Sequence, residues 1–334
     1  MKAIVLPEYN SNIIRAMRSL TVQDVSIPEP KGSDVLIKVL GAPCNPSDIA
    51  FMRGGYGIRK PVPVIMGFEC TGQVVETGPE GAAKGLLGKR VSCFAQGMGN
   101  GTWAEYFLAD ASDCIPVQEM LPLEQASAFC INPFTATALL EIAQSRFSPA
   151  IIQNGASGQV GIFIRNLASL AGIKVINLVR KEEHVEILKN EGESHVLCVM
   201  DPEFEARLKQ MAMELNATVA FDAVGGDMSG TMLNAMPRGS ELIIYGGLSG
   251  KPAGMFNTLE IIFEGKMISG FNLGDWKAAK SAAEFAAISD YLQQLILDGT
   301  LQTRIQASFS LDEVQQAIEQ YIRNMSSGKI LFKP

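Results

Sequence analysis

The stretch AIIQNGASGQVG, Ala150 to Gly161, decides how this chain is read, because an apolar strand empties into a glycine-rich turn just where a helix begins. Its last six residues, Ala156-Ser157-Gly158-Gln159-Val160-Gly161, match the dinucleotide-binding pattern Gly-x-Gly-x-x-Gly, with Ala156 in place of the first glycine. In that pattern the first position permits the tight turn and the second lets backbone amides approach a pyrophosphate. The third lets the helix pack closely on its sheet. The helix N-terminus, with unpaired N–H groups and a partial positive charge, then faces the phosphates. A single hexapeptide also suits an ordinary strand-to-helix turn, so the dinucleotide reading depends on the residues downstream of Gly161.

There KVINLV, Lys174 to Val179, reads as the second strand. At the end of that strand NAD-binding folds carry an acidic residue for the ribose 2′-hydroxyl, and here the chain has Arg180 and Lys181. A carboxylate would repel a 2′-phosphate, whereas a guanidinium pairs with it bidentately, so NADP(H) is favoured. A solvated basic pair ahead of a surface helix is the alternative. Further strands are expected near 195–200, 218–226, 240–247 and 266–271, with helices over 203–215 and 228–236. The expected fold class is therefore α/β, with a doubly wound parallel sheet.

A chain of 334 residues with 47% hydrophobic content suffices for two cores. Net charge −7 and a pI near 5.1 leave no electrostatic footprint for nucleic acid, and no apolar run is long enough to span a bilayer. MKAIVLPEY reads as a first strand and not a secretory signal, so the cytoplasm is the expected location. The six cysteines are scattered without a Cys-x-x-Cys, which argues against disulfides and paired-cysteine zinc sites. Up to about residue 120, short β-like runs such as VLIKVL and TGQVVETG alternate with turn residues, which suggests a β-rich domain. The tail from 304 reads as a strand, a capped helix from about Leu311 and Asp312, a stop at Gly328 and a last strand GKILF. Too short for its own core, it is expected to return to the N-terminal domain. The expected division is 1–122, 123–273 and 274–334, with the middle segment as the nucleotide domain.

IPEP at 27–30, NPSDI at 45–49, GFECTGQVVETG at 67–78, GTWAEYF at 101–107, LPLEQASAF at 121–129, NPFTATALL at 132–140, the glycine loop and GKILF succeed one another in order. In this series the chain resembles the medium-chain dehydrogenase/reductase superfamily, and within it the zinc-free quinone oxidoreductases and 2-enoyl thioester reductases. The resemblance implies a GroES-like catalytic domain, a Rossmann domain binding NADP(H), a small-molecule substrate and a homodimer built partly through the last Rossmann strand. Zinc members carry Gly-His-Glu where this chain has Gly67-Phe68-Glu69, and Cys-His-x-Asp where it has Asn45-Pro46-Ser47-Asp48. A catalytic zinc needs three protein ligands, and the two histidines, His184 and His195, fall on a surface helix and a strand approach. No metal is expected.

Hydride chemistry on an activated C=C or a quinone then needs a hydrogen-bond donor aimed at the oxygen that gathers negative charge. Tyr56, between Gly55 and Gly57, is the candidate donor that the resemblance supplies, and a loop tyrosine used only for packing is the bland alternative. The resemblance also places Asn45 near the nicotinamide or substrate carbonyl and Thr135 at the nicotinamide end, although each also suits a plain turn. Gly246, Gly247 and Leu248 are assigned to the cofactor with Lys181. In ISGFNLGDW, Gly270, Phe271, Leu273 and Trp276 match a stretch of the enoyl reductases, which makes Phe271 and Trp276 candidates for the substrate pocket or for plain core. Met66-Gly67-Phe68-Glu69-Cys70 departs from that branch's Gly-Gly-Asn-Glu-Gly. The leading expectation is an NADPH-dependent, zinc-independent reductase of α,β-unsaturated carbonyls such as 2-enoyl thioesters. An NADPH:quinone oxidoreductase is second, and a non-catalytic nucleotide-binding scaffold third. A phosphorylated acyl carrier would call for a basic entrance near Arg53, Arg59 and Lys60. Residues 9–19, longer than the family's first hairpin, have no functional reading.

Overall fold

The computed structural model describes residues 1–334 as two units, Met1–Asn132 with Ala286–Pro334 and Pro133–Phe285. Strands β1 (Lys2–Leu6), β2 (Thr21–Asp24), β3 (Asp34–Pro43), β4 (Val64–Ile65), β5 (Glu69–Thr77), β6 (Arg90–Phe94), β7 (Tyr106–Asp110) and β8 (Cys114–Pro116) come first. The second unit holds β9 (Ala150–Gln153), β10 (Lys174–Val179), β11 (Val196–Cys198), β12 (Ala217–Asp222), β13 (Glu241–Ile244) and β14 (Met267–Gly270). Strands β15 (Ile305–Phe309) and β16 (Lys329–Phe332) close the chain.

In the first unit the β-rich texture resolves into a small sheet, β2-β1-β4, and a larger one, β15-β16-β3-β5-β6-β8, with β7 paired to β3. The tail joins this unit through β16, which lies antiparallel to β3 with Leu331 opposite Pro43 and Phe332 opposite Ala42. A capping box of Ser310 and Glu313 starts the tail helix, whose α-helical part is Val314–Arg323. Its Val314, Ala317, Ile318 and Tyr321 recur at helical spacing and enter the same core as Ile4, Ile37, Phe68 and Phe332.

The second unit is the expected doubly wound sheet. Its order is β11-β10-β9-β12-β13-β14, with every neighbouring pair parallel. This is the nucleotide-binding order in which the chain switches direction at the middle of the sheet, here between β9 and β12. Parallel strands covered on both faces read as unbroken apolar runs, and Ala150–Gln153 is buried throughout. The helix Gln159–Leu170 begins on Gly158 and stops at Gly172, where φ is +68°. There the Gly172 N–H bonds to the Ser169 carbonyl at 3.2 Å and the Ile173 N–H to the Ala168 carbonyl at 2.9 Å, closing a glycine-terminated C-cap. No helix is long and apolar enough to cross a membrane.

The unit bounds lie later in the chain than 122/123 and 273/274, where sequence texture drew them. Leu123–Ser127 packs on β3 and β5, and Ser92 Oγ donates to the Ala126 carbonyl at 2.6 Å, so this stretch stays with the first unit. Beyond 273, Phe285 stacks on Phe134 at 5.0 Å within the second unit. Phe285 lies on the helix Ala282–Leu297, whose later turns belong to the first unit, where Gln293 accepts the Gln118 N–H at 2.7 Å.

Candidate active site

In the first unit, β3 ends where Asn45 starts the helix Pro46–Met52, with proline at the first helical position. The Asn45 backbone N–H donates to Asp48 Oδ2 at 2.7 Å. Asn45 Nδ2 donates to Glu69 Oε1 at 2.7 Å, and Asn45 Oδ1 accepts from Lys329 Nζ. The Lys329 ammonium also lies 3.8 Å from Glu69, whose other oxygen accepts the Cys130 thiol at 3.5 Å. Asn45, Glu69 and Lys329 are all buried. The expected substrate-side amide of Asn45 is thus held inside a buried network, because burial of a carboxylate requires a cation and hydrogen bonds around it. Burial pushes the Glu69 carboxyl up, with Lys329 and Asn45 acting against it.

Phe68 stands where zinc members carry histidine, and it supplies an aromatic platform. The Tyr56 ring meets it at a tilt with centroids 5.2 Å apart, and Phe51 packs against it edge-on at 5.2 Å. The Tyr56 hydroxyl receives a long contact from Gln96 Nε2 at 3.4 Å and donates to no group of the chain. Burial, followed by the nearby Asp48 charge, raises the Tyr56 pKa above its ordinary 10.0. Tyr56 is therefore a protonated donor with its hydrogen unused. Lys60 departs from the basic entrance expected of it: it is 3% exposed, and its ammonium donates to the Ala95 and Gly99 carbonyls at 3.1 and 2.8 Å. Burial lowers its pKa to about 8. Arg53 and Arg59 remain exposed.

Asp48 is fully buried with Oδ1 unpartnered, and burial raises its pKa to about 7. The folded chain therefore keeps a proton that the unfolded chain releases near 3.8. The stabilisation this gives is complete below about pH 4 and is lost as pH rises to about 7. Asp48→Asn keeps an acceptor for the Asn45 N–H and removes the titration. Between these pH values the wild type should lose on the order of 2–4 kcal/mol relative to the variant. Urea unfolding across that range checks it, and parallel stability curves for the two chains would refute it.

In the second unit the glycine turn differs from its sequence reading in one respect. The left-handed residue is Gly155, at φ +63°, and Ala156 is an ordinary buried residue packed with Val179, Val185 and Leu188. The tight turn thus rests on the glycine one place earlier, which explains why alanine is tolerated at 156. Gly161 does serve close packing, since a Cβ there would meet the Ala156 Cα and carbonyl oxygen at 2.8 Å. Gly158 caps the helix whose first residues are Gln159, Val160 and Gly161, and Ser157 lies in the turn before it.

Three loops at the carboxyl ends of the strands meet around Ala223. A Cβ on Gly155 would touch the Ala223 Cβ at 3.4 Å, and one on Gly246 would lie 2.7 Å from the Ala223 carbonyl oxygen. The Leu248 N–H bonds to that carbonyl at 3.1 Å, while Gly247 has open space where a side chain would stand. Asn154 and Asp222 tie β9 to β12 by a 2.6 Å bond, and Asp222 also accepts the Val224 and Gly225 N–H groups at 2.8 Å. Arg165, absent from the sequence-based candidates, donates to the Ala156 carbonyl from a buried position and pairs with Glu191 and Glu193 at 2.7 and 3.1 Å. A lone charge inside the apolar run of its helix was the available signal.

Arg180 comes directly after β10 with an exposed guanidinium that forms no ion pair within the chain, whereas Lys181 pairs with Glu183 at 2.9 Å. Thr135 is buried in the first turn of the helix Asn132–Ser145. Trp276 donates from Nε1 to Glu141 at 2.9 Å and packs edge-on against Phe134 and Phe285 at 6.4 and 6.3 Å. Phe271 is half-buried, with its N–H on the Ile244 carbonyl at 2.9 Å.

Comparison with known proteins agrees with this architecture. Residues 31–119 match the alcohol dehydrogenase GroES-like domain and residues 160–288 the zinc-binding dehydrogenase domain. A mitochondrial enoyl-acyl-carrier-protein reductase of Arabidopsis thaliana is 31% identical over 90% of this chain and 79% of its own length. The Homo sapiens protein of that name is 29% identical over 92% and 83%. Among solved structures, a Mesorhizobium loti protein named as an NADPH:quinone reductase superposes with a TM-score of 0.93 at 32% identity, covering 100% of this chain and 98% of that one. On this fold and these relatives, the chain belongs to the medium-chain dehydrogenase/reductase superfamily, as an oxidoreductase of its enoyl reductase and quinone reductase group.

Proposed function

We propose that this chain is an NADPH-dependent reductase of α,β-unsaturated carbonyls, acting without zinc on a 2-enoyl thioester. The unused O–H of Tyr56 on its aromatic platform carries the reading. The cofactor, when bound, supplies the hydride that goes to the β-carbon of the substrate. Tyr56 donates to the carbonyl oxygen, where the negative charge collects, and Phe68 fixes the plane of its ring. Glu69, the residue after Phe68, is itself held by its buried bonds to Asn45 and Lys329.

The chain's own residues fit a phosphorylated dinucleotide. Gly158 and Gly161 allow the close approach of turn and helix, and Ser157, Gln159 and Val160 complete the amide-lined bend. Arg180, with Lys181 beside it, is available to a 2′-phosphate. Gly246, Gly247, Leu248 and Thr135 are proposed further along the same cofactor. Zinc does not fit the donor set: Phe68 offers no ligand atom, and the Asn45 oxygen already faces an ammonium. Trp276 and Phe271 are proposed at the acyl end, although the indole N–H already has its partner in Glu141.

The free edge at β14, where Met267 and Ile268 are exposed near Phe263, suits pairing with a second copy, so we read the protein as a homodimer. Sedimentation at the mass of one 36.0 kDa chain would remove that reading. Six free cysteines favour a reducing compartment such as the cytoplasm.

Quinone reduction is the second reading, favoured by the likeness to the Mesorhizobium loti protein. NADPH oxidation measured in parallel with crotonyl-CoA and a benzoquinone separates the two. Turnover of the thioester is expected, and turnover of the quinone alone would replace the first reading by the second.

A further inference from the structure

The segment 9–11, which precedes the helix Ile13–Ser19, touches the Tyr56 loop at both of its ends. At the near end, the Asn10 N–H bonds to the Met52 carbonyl at 3.1 Å, and Arg53 Nε donates to the Ser11 carbonyl at 3.1 Å. Gly54 sits at φ +73°, and a Cβ on it would reach the Tyr9 Cβ at 3.4 Å. At the far end one hydroxyl takes both backbone groups of one residue: Tyr9 O–H donates to the Lys60 carbonyl at 2.7 Å and accepts the Lys60 N–H at 2.9 Å. The Tyr9 ring meets Phe51 edge-on at 5.3 Å, and the Arg59 guanidinium lies over the Tyr9 ring at 5.2 Å.

Between these two anchor points lies Tyr56-Gly57-Ile58-Arg59, which makes no main-chain hydrogen bond. With a glycine on either side of Tyr56, this stretch has a large conformational entropy to lose and little local bonding to hold it. The placement of the Tyr56 hydroxyl is then set by the ring contact with Phe68 and by where the two loop ends are pinned. The Phe51 ring joins these, since it packs against both Tyr9 and Phe68. The Lys60 ammonium extends the brace to the 95–99 loop that carries Gln96, the other neighbour of the Tyr56 hydroxyl.

We propose that Tyr9 is a positioning residue for Tyr56: its hydroxyl clamps the Lys60 backbone and so holds the Tyr56 O–H in place to donate to the substrate carbonyl oxygen. This rests on the reading of Tyr56 as the donor. A clamp of this kind acts on turnover, because a displacement of about 1 Å at a reacting group can cost up to about a hundredfold in rate.

The test is a double-mutant cycle. Tyr9→Phe keeps the ring on Phe51 and removes only the two hydrogen bonds, and it is made in the wild-type and Tyr56→Phe backgrounds, with kcat and KM measured on crotonyl-CoA and NADPH. Tyr9→Phe should lower kcat about tenfold with the KM for NADPH unchanged, and cause no further loss once Tyr56 is phenylalanine. An equal loss in both backgrounds, or no loss in the wild type, overturns the clamp and leaves Tyr56 in its role. Full activity of Tyr56→Phe alone overturns the donor reading and the clamp with it. Amide hydrogen exchange of the unaltered protein supplies a check that needs no variant: the Lys60 N–H should exchange more slowly than those of Gly57 and Ile58, and equal exchange refutes the clamp.

Discussion

Tyr56→Phe should lower kcat for enoyl thioester reduction by about 10²–10³-fold, the usual loss when one donor to a developing oxyanion is removed. The substitution leaves the ring on Phe68, so the variant should fold and bind NADPH as the wild type does. The only group lost is one O–H, whose hydrogen goes to no group of the chain and whose oxygen receives only the 3.4 Å contact from Gln96. Interactions made in the transition state act on kcat and kcat/KM together, and the KM for NADPH should stay within about twofold. The pH profile probes the same atom independently. Because burial and the Asp48 charge raise the Tyr56 pKa above its ordinary 10.0, the donor stays protonated throughout the neutral range. Steady-state rates from pH 6 to 10 should therefore show no alkaline break from Tyr56. A break inside that range, abolished by Tyr56→Phe, would contradict the assignment.

Arg180→Ala should weaken NADPH by about 10–100-fold and leave NADH nearly unchanged, as expected for loss of a bidentate charge-assisted contact to a 2′-phosphate. The guanidinium is exposed and makes no ion pair within the chain, so its removal breaks no internal contact and should leave thermal stability intact. Lys181 is already paired with Glu183, and Lys181→Ala should have the smaller effect. Fluorescence titration with both reduced cofactors checks the pair. Equal weakening of NADPH and NADH by Arg180→Ala would show that this side chain does not read the phosphate.

Most of the parallel sheet was legible from the chain, because the signals that form it are local. Apolar runs such as Ala150–Gln153 and Lys174–Val179 mark strands buried on both faces, and the glycine turn and the C-cap at Gly172 punctuate them. The unit boundaries were less legible: Leu123–Ser127 reads like the start of the next domain, and only its packing on β3 and β5 assigns it to the first. Lys60 reads as one of three surface cations, and its burial came from the carbonyls of Ala95 and Gly99, more than thirty residues away. Arg165 shows in the chain only as a lone charge in an apolar helix run, because its partners, the Ala156 carbonyl and two glutamates, come together only when the helix packs on its sheet.

Residue order and local chemistry were enough to establish the two architectures, the glycine turn after β9 and the basic pair after β10. Apolar periodicity and side-chain charge act over a few residues, so they can be read along the chain. Which residue of the turn is left-handed, the joining of Asn45 to Lys329 across 284 positions, the seat of Tyr56 on Phe68 and the grip of Tyr9 on Lys60 were decided by the folded molecule alone. Those contacts exist only after distant strands have closed into one core, and no spacing rule in the chain encodes the partner that such a closure delivers.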